Sequence, residues 1–284
     1  MKIGCHLICK TKFKNAYMKK LSFVITLLAF MACSKEETIS PTEINSKINS
    51  NAVAIVTTKK GIGLTESVYG NTQLSALNVS WYYSWGYNTT LVNPPAQFTP
   101  MVFSLNTLPS VTTKPTILGF NEPDNSSQSN MSAATAIANW PTLVSKSTRI
   151  GSPATAGNPL TSGSWLTQFM NSTPKPKVDF VCVHWYKGCN VAKFKSDMTA
   201  IINLYGKPIW ITEFAPQTVS SAQASPTKYT QTEINTFLNQ VIPWMEANPM
   251  IEKYAYHNPK YGNAATFTST GALTATGITY RDAH

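Results

Sequence analysis

Among the thirteen carboxylates of the chain, Glu122 and Glu213 stand apart because each directly ends an apolar, strand-like run. Glu122 follows Ile117-Leu118-Gly119-Phe120-Asn121, and Glu213 follows Ile209-Trp210-Ile211-Thr212. Glu66, shortly after the first apolar run, is a weaker third candidate. Glu36, Glu37 and Glu43 lie in a polar N-terminal stretch, Asp179 opens a run, and Asp197, Glu233, Glu246 and Glu252 fall on or beside helix-like segments. Two carboxylates facing each other across a scaffold can divide the labour of cleaving a glycosidic bond. One, as the acid, protonates the leaving oxygen, and the other, ionised, attacks the anomeric carbon; retaining enzymes hold the two about 5–5.5 Å apart. The roles demand different surroundings, one keeping a proton and the other shedding it. Pro123 lacks a backbone N–H and turns the chain off the strand, which helps hold Glu122 in place.

The aromatic residues suit a ligand that offers an apolar C–H face and many hydroxyls. Trp81, Tyr83 and Trp85 alternate at strand spacing and can share one face, as barrel core or as a binding surface. Trp85, beside Gly86 at the strand end, is the one expected nearest a substrate. His184-Trp185-Tyr186 closes another apolar run, and His184 is expected to hydrogen-bond a ligand or Glu213. Trp140, Trp165 and Trp244 fall on helical stretches and read as packing. No His/Cys/Asp/Glu set shows metal-ligand spacing and no glycine-rich phosphate loop is present, so neither a metal nor a cofactor is expected.

These residues need elements to position them. Eight short apolar runs recur from residue 59 onward: 61–64, 79–83, 100–103, 116–120, 149–153, 178–185, 208–212 and 253–256. Helical patterns sit between several of them, at Ala133 to Val144 with Ser132 as N-cap, at Phe194 to Tyr205, and at Glu233 to Glu246 with an interruption at Pro243. Strands alternating with helices imply parallel pairing. The expected fold is therefore α/β, a single (β/α)8 TIM barrel over 59–284, with a doubly wound sheet as the alternative. A barrel presents its chemistry at the C-terminal ends of its strands, where Glu122 and Glu213 would lie.

The chain has 284 residues, of which 43% are hydrophobic and only 13% charged. Its polar surface must then be built mainly from Ser, Thr, Asn and Gln, as suits extracellular proteins and neutral, hydroxyl-rich ligands. The net charge of +10 is concentrated in residues 1–32, which hold six lysines and no acid; the remainder has 17 basic and 13 acidic residues. No basic cluster remains there, which argues against nucleic acid as a partner. Met18-Lys19-Lys20, the apolar stretch Leu21 to Ala32 and Cys33 form a positive region, a short apolar region and a small residue before cysteine. The apolar stretch is too short to span a bilayer. The arrangement resembles a bacterial lipoprotein signal, with Phe30 where Leu is usual; the resemblance implies lipidation of Cys33 and translation from Met18. Residues 33–58 read as a polar tether, and Ser34-Lys35-Glu36-Glu37 resembles acidic export tags on surface lipoproteins of some gliding and gut bacteria. A lipid-anchored envelope location, or secretion, is expected. Cys182 and Cys189 are left either as one disulfide or as two separate thiols.

Several motifs, in order, resemble one family. They are Trp81-Tyr82-Tyr83-Ser84-Trp85, Phe98-Thr99-Pro100-Met101 and Gly119-Phe120-Asn121-Glu122-Pro123-Asp124 with Gln128, Asn130, Met131 and Ser132, then His184-Trp185-Tyr186 and Trp210-Ile211-Thr212-Glu213-Phe214-Ala215. Asn-Glu-Pro and Thr-Glu-Phe look like the strand-end motifs of clan A retaining glycoside hydrolases, and the whole set is similar to glycoside hydrolase family 128. The resemblance implies cleavage of β-1,3-glucan with Glu122 as acid/base, Glu213 as nucleophile and Asn121 on the sugar 2-hydroxyl. A monomer whose only membrane contact is its lipid anchor is expected. Ser84 stands where the family usually has Asn, and Tyr256 where it usually has Trp, both at positions expected to line the cleft. A clan A hydrolase of another β-glycan and a non-catalytic glucan-capture lipoprotein are the rival readings. Loop 216–230 and segment 259–275 are where cleft walls deciding endo or exo action would arise.

Overall fold

The computed structural model describes residues 57–216, 228–259 and 262–284. Residues 1–56, with the signal-like stretch, Cys33 and nearly all of the tether, lie outside the described residues, as does most of loop 216–230. Among the described residues no helix is long and apolar enough to cross a membrane.

Eight parallel strands carry the site: β1 (Lys60–Gly63), β2 (Trp81–Tyr83), β3 (Gln97–Phe98), β4 (Lys114–Ile117), β5 (Ser147–Ile150), β6 (Val181–Trp185), β7 (Ile209–Phe214) and β8 (Ile251–His257). They pair in the order β3-β2-β1-β8-β7-β6, with β4-β5 as a second ladder. β1 has β2 on one side and β8 on the other, so the first and last strands are neighbours. The strand order shows no reversal of the kind that defines a doubly wound sheet. The ladder itself is not closed. At the two seams only isolated parallel bridges remain, Met101 with Leu118 and Gly151 with Phe180. At the first, Leu118 N–H reaches Pro100 O (2.9 Å) while Met101 N–H turns to Gly86 O (2.9 Å). Pro100 has no N–H to continue a ladder, which is why β3 is formed at 97–98 and the expected strand over 100–103 is reduced to a bridge.

The helices are α1 (Asn71–Leu77), α2 (Ala133–Ser145), α3 (Trp165–Met170), α4 (Val191–Tyr205), α5 (Gln231–Ala247) and α6 (Ala275–Asp282). Ser132 caps α2 by accepting from Thr135 N–H, as its position suggests, and Thr230 with Glu233 forms a capping box on α5. α5 runs unbroken through Pro243, against the expected interruption. Pro243 and Asn239, whose carbonyl loses its helical partner, both face solvent, so water can satisfy the freed group.

Strand alternation sorts the core into two layers. Tyr82, Val181, Val183, Trp185, Ile209, Ile211, Phe214, Tyr254 and Tyr256 pack outward, against the helices. Trp81, Tyr83, Leu118, Phe180, Cys182, Trp210 and Ala255 face inward and form a separate cluster. Trp210 stacks on Phe180 (centroids 4.2 Å) and leans on Trp81 (5.3 Å), closing the interior below the strand ends. Gly61 makes room for this plug, since a Cβ there would sit 2.4 Å from the Trp81 ring. Cys182 lies in the inner cluster and Cys189 packs against the outer one; both are free thiols, which settles the open pairing as two separate cysteines.

Candidate active site

The chain leaves β4 through Leu118-Gly119-Phe120, and Gly119 allows the close approach of the neighbouring turn: a Cβ there would meet Gly151 O and Pro153 N at 2.9 Å. Asn121 N–H donates to Phe103 O and Glu122 N–H to Ala154 O (2.7 Å), so the backbone is clamped from both sides. Glu122 adopts φ +41°, a left-handed conformation that a non-glycine residue holds only when its surroundings impose it. Pro123 O then accepts from Met131 N–H, folding the following loop back on the strand end. Asp124 accepts from Ala156 and Gly157 N–H and ties that loop to the neighbouring wall.

Glu213 reaches the same space by a slip in register. Ile211 and Phe214, three residues apart, both pack outward, and the pairing of β7 with β8 is irregular between them. The extra residue puts Thr212 and Glu213 together on the inner side, where strict alternation would have turned Glu213 toward the helices.

The two carboxylates meet at His184. His184 Nδ1 lies 2.9 Å from Glu122 Oε1 and 3.5 Å from Glu213 Oε2, and one oxygen of each carboxylate lies within 4.8 Å of the other. Glu213 is ringed by donors: Trp85 Nε1–H at 2.8 Å and Tyr83 OH at 3.2 Å from Oε1, and Tyr186 OH at 2.5 Å from Oε2. Burial pushes the Glu213 carboxyl up, but His184, His257 and the donors from Tyr186 and Trp85 outweigh it and hold it below its ordinary range. Burial and the Glu213 charge keep both Tyr83 and Tyr186 protonated and donating. Burial lowers His184, but Glu213 and Glu122 more than compensate and its pKa is raised. Glu122 is held differently: besides His184 it accepts from Asn125 Nδ2–H at 3.0 Å.

Two cavities open on this pair and share Glu122. One, of about 290 Å3, is lined by Trp85, Phe103, Asn121, Gln128, Glu213 and His257. The other, of about 370 Å3, is lined by Ala156 to Pro159, His184, Tyr186 and Lys187 among others. Asn121 donates through Nδ2 to Gln128 and leaves its buried Oδ1 without a partner. Glu122, His184 and Glu213 each bring a potential metal-ligand atom to this point, from three different strands, so spacing along the chain does not announce the set. Hydrogen-bond donors already meet the Glu213 oxygens, and His184 Nδ1 is taken by Glu122; this is the arrangement of a paired carboxylate, not of an open ligand shell.

Glu122, Glu213, Asn121, Trp85, His184 and Tyr186 thus come together. Two other expected binding residues, Trp81 and Tyr256, do not, and Trp185 only borders the larger cavity. Trp81 is fully buried in the inner plug, its indole N–H on Lys59 O. Trp185 borders the larger cavity but turns its ring outward, where it stacks on Phe237 and donates to Asp197. Tyr256 also points outward, its hydroxyl on Ala264 O, so the residue of β8 that reaches the cavity is its neighbour His257. Tyr83 sits below the cavities, where its hydroxyl is shared between Thr212 O and Glu213. Glu66 is engaged by Thr89 and Thr90, away from the pair. His257, Phe103 and Asn125 are site residues that pattern reading does not find.

The glycosyl hydrolase catalytic core family matches residues 61–280. Alkali-sensitive linkage protein 1 of Schizosaccharomyces pombe is 27% identical over 217 residues, covering 71% of this chain; the chain spans about 40% of the length of that curated relative. A family 128 subgroup I endo-β-1,3-glucanase from Amycolatopsis mediterranei, solved with laminaritriose, superposes with a TM-score of 0.68 at 28% identity, covering 80% of this chain and 100% of the other. A family 128 subgroup III curdlan-specific exo-β-1,3-glucanase from Blastomyces gilchristii, solved with glucose, gives a TM-score of 0.61 at 26% identity over 78% of this chain and 97% of its own.

Proposed function

Since the chain belongs to the glycosyl hydrolase catalytic core family, in the branch represented by glycoside hydrolase family 128, we propose that it is a retaining glycoside hydrolase that cleaves β-1,3-glucan. The observation that carries this reading is the Glu122–Glu213 pair, with oxygens within 4.8 Å of one another and only one member ringed by donors. That closeness fits the separation of about 5–5.5 Å in retaining enzymes better than the roughly 6.5–9.5 Å with which inverting enzymes accommodate a water.

Glu213, held anionic, attacks the anomeric carbon and forms a covalent glycosyl-enzyme. Glu122 gives its proton to the departing glycosidic oxygen. It then takes a proton from the water that attacks the intermediate, and Glu213 leaves with its charge restored. Asn121 beside it faces the sugar 2-hydroxyl, where a hydrogen bond can strengthen in the transition state. The indole of Trp85 offers its N–H to Glu213 and lines the cavity where a pyranose C–H face would lie. The likeness to two β-1,3-glucanases solved with laminaritriose and with glucose supports the choice of sugar. In this reading the two ladders act as one (β/α)8 barrel with its mouth at the strand ends. Lipidation of Cys33 and a tether over 33–58, inferred from sequence, would hold a monomeric enzyme at the cell envelope.

The test is hydrolysis of laminarin and curdlan beside a panel of xylans, mannans and β-1,4-glucans. Glu122→Gln and Glu213→Gln should each abolish sugar release, with the anomeric configuration of the first product retained in the wild type. Near-normal activity in either variant removes that residue from its role, and preference for another panel member removes the substrate. Loss of membrane fractionation in Cys33→Ser would support the anchor, and unchanged fractionation would sink it.

A further inference from the structure

Beyond its electrostatic pull on Glu213 when protonated, His257 has no part in the chemistry derived above, yet it stands in the cavity beside the nucleophile. It ends β8 opposite Gly63 of β1. Its ring is held edge-on by the two side chains that also grip Glu213, with centroids 5.8 Å from Trp85 and 5.5 Å from Tyr186. Such bracing fixes the ring plane. The Nδ1 atom is buried and has no hydrogen-bond partner among the described residues. Leaving a buried polar atom unpaired is costly, and a site keeps such an atom where a ligand group completes its hydrogen bonding. Asn121 Oδ1, in the same cavity, is unpaired as well.

We propose that His257 is a substrate-binding residue whose Nδ1 hydrogen-bonds a ring hydroxyl of the glucosyl unit seated between Trp85, Phe103 and Asn121. The proposal rests on the glucan reading above and assigns that unit a contact which the two carboxylates do not supply. Burial lowers the pKa of His257, against the pull of the Glu213 charge, so the ring is neutral at neutral pH. A neutral imidazole offers one N–H and one bare nitrogen. A hydroxyl, which both donates and accepts, pairs with Nδ1 in either tautomer; a carboxylate or an ammonium would pair with only one. No bond is made or broken at His257.

The test uses the Glu213→Gln protein, which cannot turn over its ligand, and laminaritetraose as the probe. Calorimetry compares this protein with the Glu213→Gln/His257→Phe protein, in which the new ring stays between Trp85 and Tyr186 but both nitrogens are gone. We expect about tenfold weaker binding in the double variant, as for one lost hydrogen bond. Should the His257→Phe substitution prevent folding, 15N NMR of the His257 ring in the Glu213→Gln protein reads the contact directly, and Nδ1 should shift on addition of the tetrasaccharide. Binding within twofold in the double variant, or an unmoved Nδ1 signal in a saturated complex, overturns the assignment of His257. Failure of the Glu213→Gln protein itself to bind laminaritetraose overturns the glucan reading and this inference with it.

Discussion

His184 and Glu122 are joined by a buried contact of 2.9 Å between Nδ1 and Oε1, and the same nitrogen stands 3.5 Å from the second carboxylate. One ring thus orients the acid/base and lends positive charge to the nucleophile. Replacing it by Gln keeps a donor but deletes the charge. We expect His184→Gln to lower kcat/KM on laminarin about 10²-fold. Losing the His184 cation lets the Glu213 carboxyl rise, so the acid limb of the pH–rate profile should move to higher pH. An acid limb left in place, measured from pH 3 to 9, would show that His184 does not set the charge of Glu213.

The same groups make stability depend on pH in two directions. Glu213 is held below its ordinary value of 4.5, so its contribution is present above pH 4.5 and is lost as pH falls through the lowered value. His184 is raised above its ordinary 6.5, so its contribution is complete below pH 6.5 and is lost as pH rises through the raised value. The melting temperature should therefore be greatest between these limits, at about pH 5–6. His184→Gln should flatten the decline on the alkaline side. A wild-type Tm that keeps rising through neutrality, with no difference between the two proteins, would contradict this assignment.

Which residues meet at the site was partly legible because Glu122 and Glu213 directly follow apolar runs, and such runs end at the open face of a parallel sheet. Side-chain parity was not. On β8 a single step separates Tyr256, which packs against Tyr280 and Phe214, from His257 in the cavity. Both neighbours are aromatic, so hydrophobicity cannot choose between them. On β7 the register slip that turns Glu213 inward depends on its pairing with β8, a long-range fact with no local signature. Trp185 sits between two site residues in the chain and still faces Phe237, because alternation within β6 is strict from Val181 to Trp185. The parallel strands themselves were readable from their spacing; where the ladder lapses was not, although Pro100 stands at one of the seams.

Tyr186 contacts the nucleophile with a hydroxyl that buried surroundings keep protonated. Tyr186→Phe removes that donor and keeps the ring against His257. A hydrogen bond to a charged group contributes about 1.5–3 kcal/mol, so kcat/KM should fall about 10- to 100-fold with little change in Tm. Pre-steady-state release from an activated aryl laminaribioside would locate the loss in formation of the glycosyl-enzyme. A drop in Tm with kcat/KM intact would make the tyrosine a packing residue.

Trp81 and Trp85 look alike in the sequence, four residues apart on one strand face, and the structure separates their roles by depth. Trp81 is fully buried against Trp210 and Tyr83 and lines neither of the cavities beside the carboxylates. Removing its ring should cost about 3–5 kcal/mol of stability through a cavity in the plug. Molecules that remain folded below the lowered Tm should cleave with a nearly unchanged KM, since nothing that lines the cleft has been removed. Trp85→Phe should do the reverse. It keeps most of the apolar surface, leaves the fold intact and deletes the indole N–H that reaches Glu213 at 2.8 Å. We expect a loss of about tenfold or more in kcat/KM. Chemical denaturation and steady-state kinetics on both variants decide the matter. If Trp81→Ala raises KM without lowering stability, the inner plug is accessible to substrate and the division by depth is wrong.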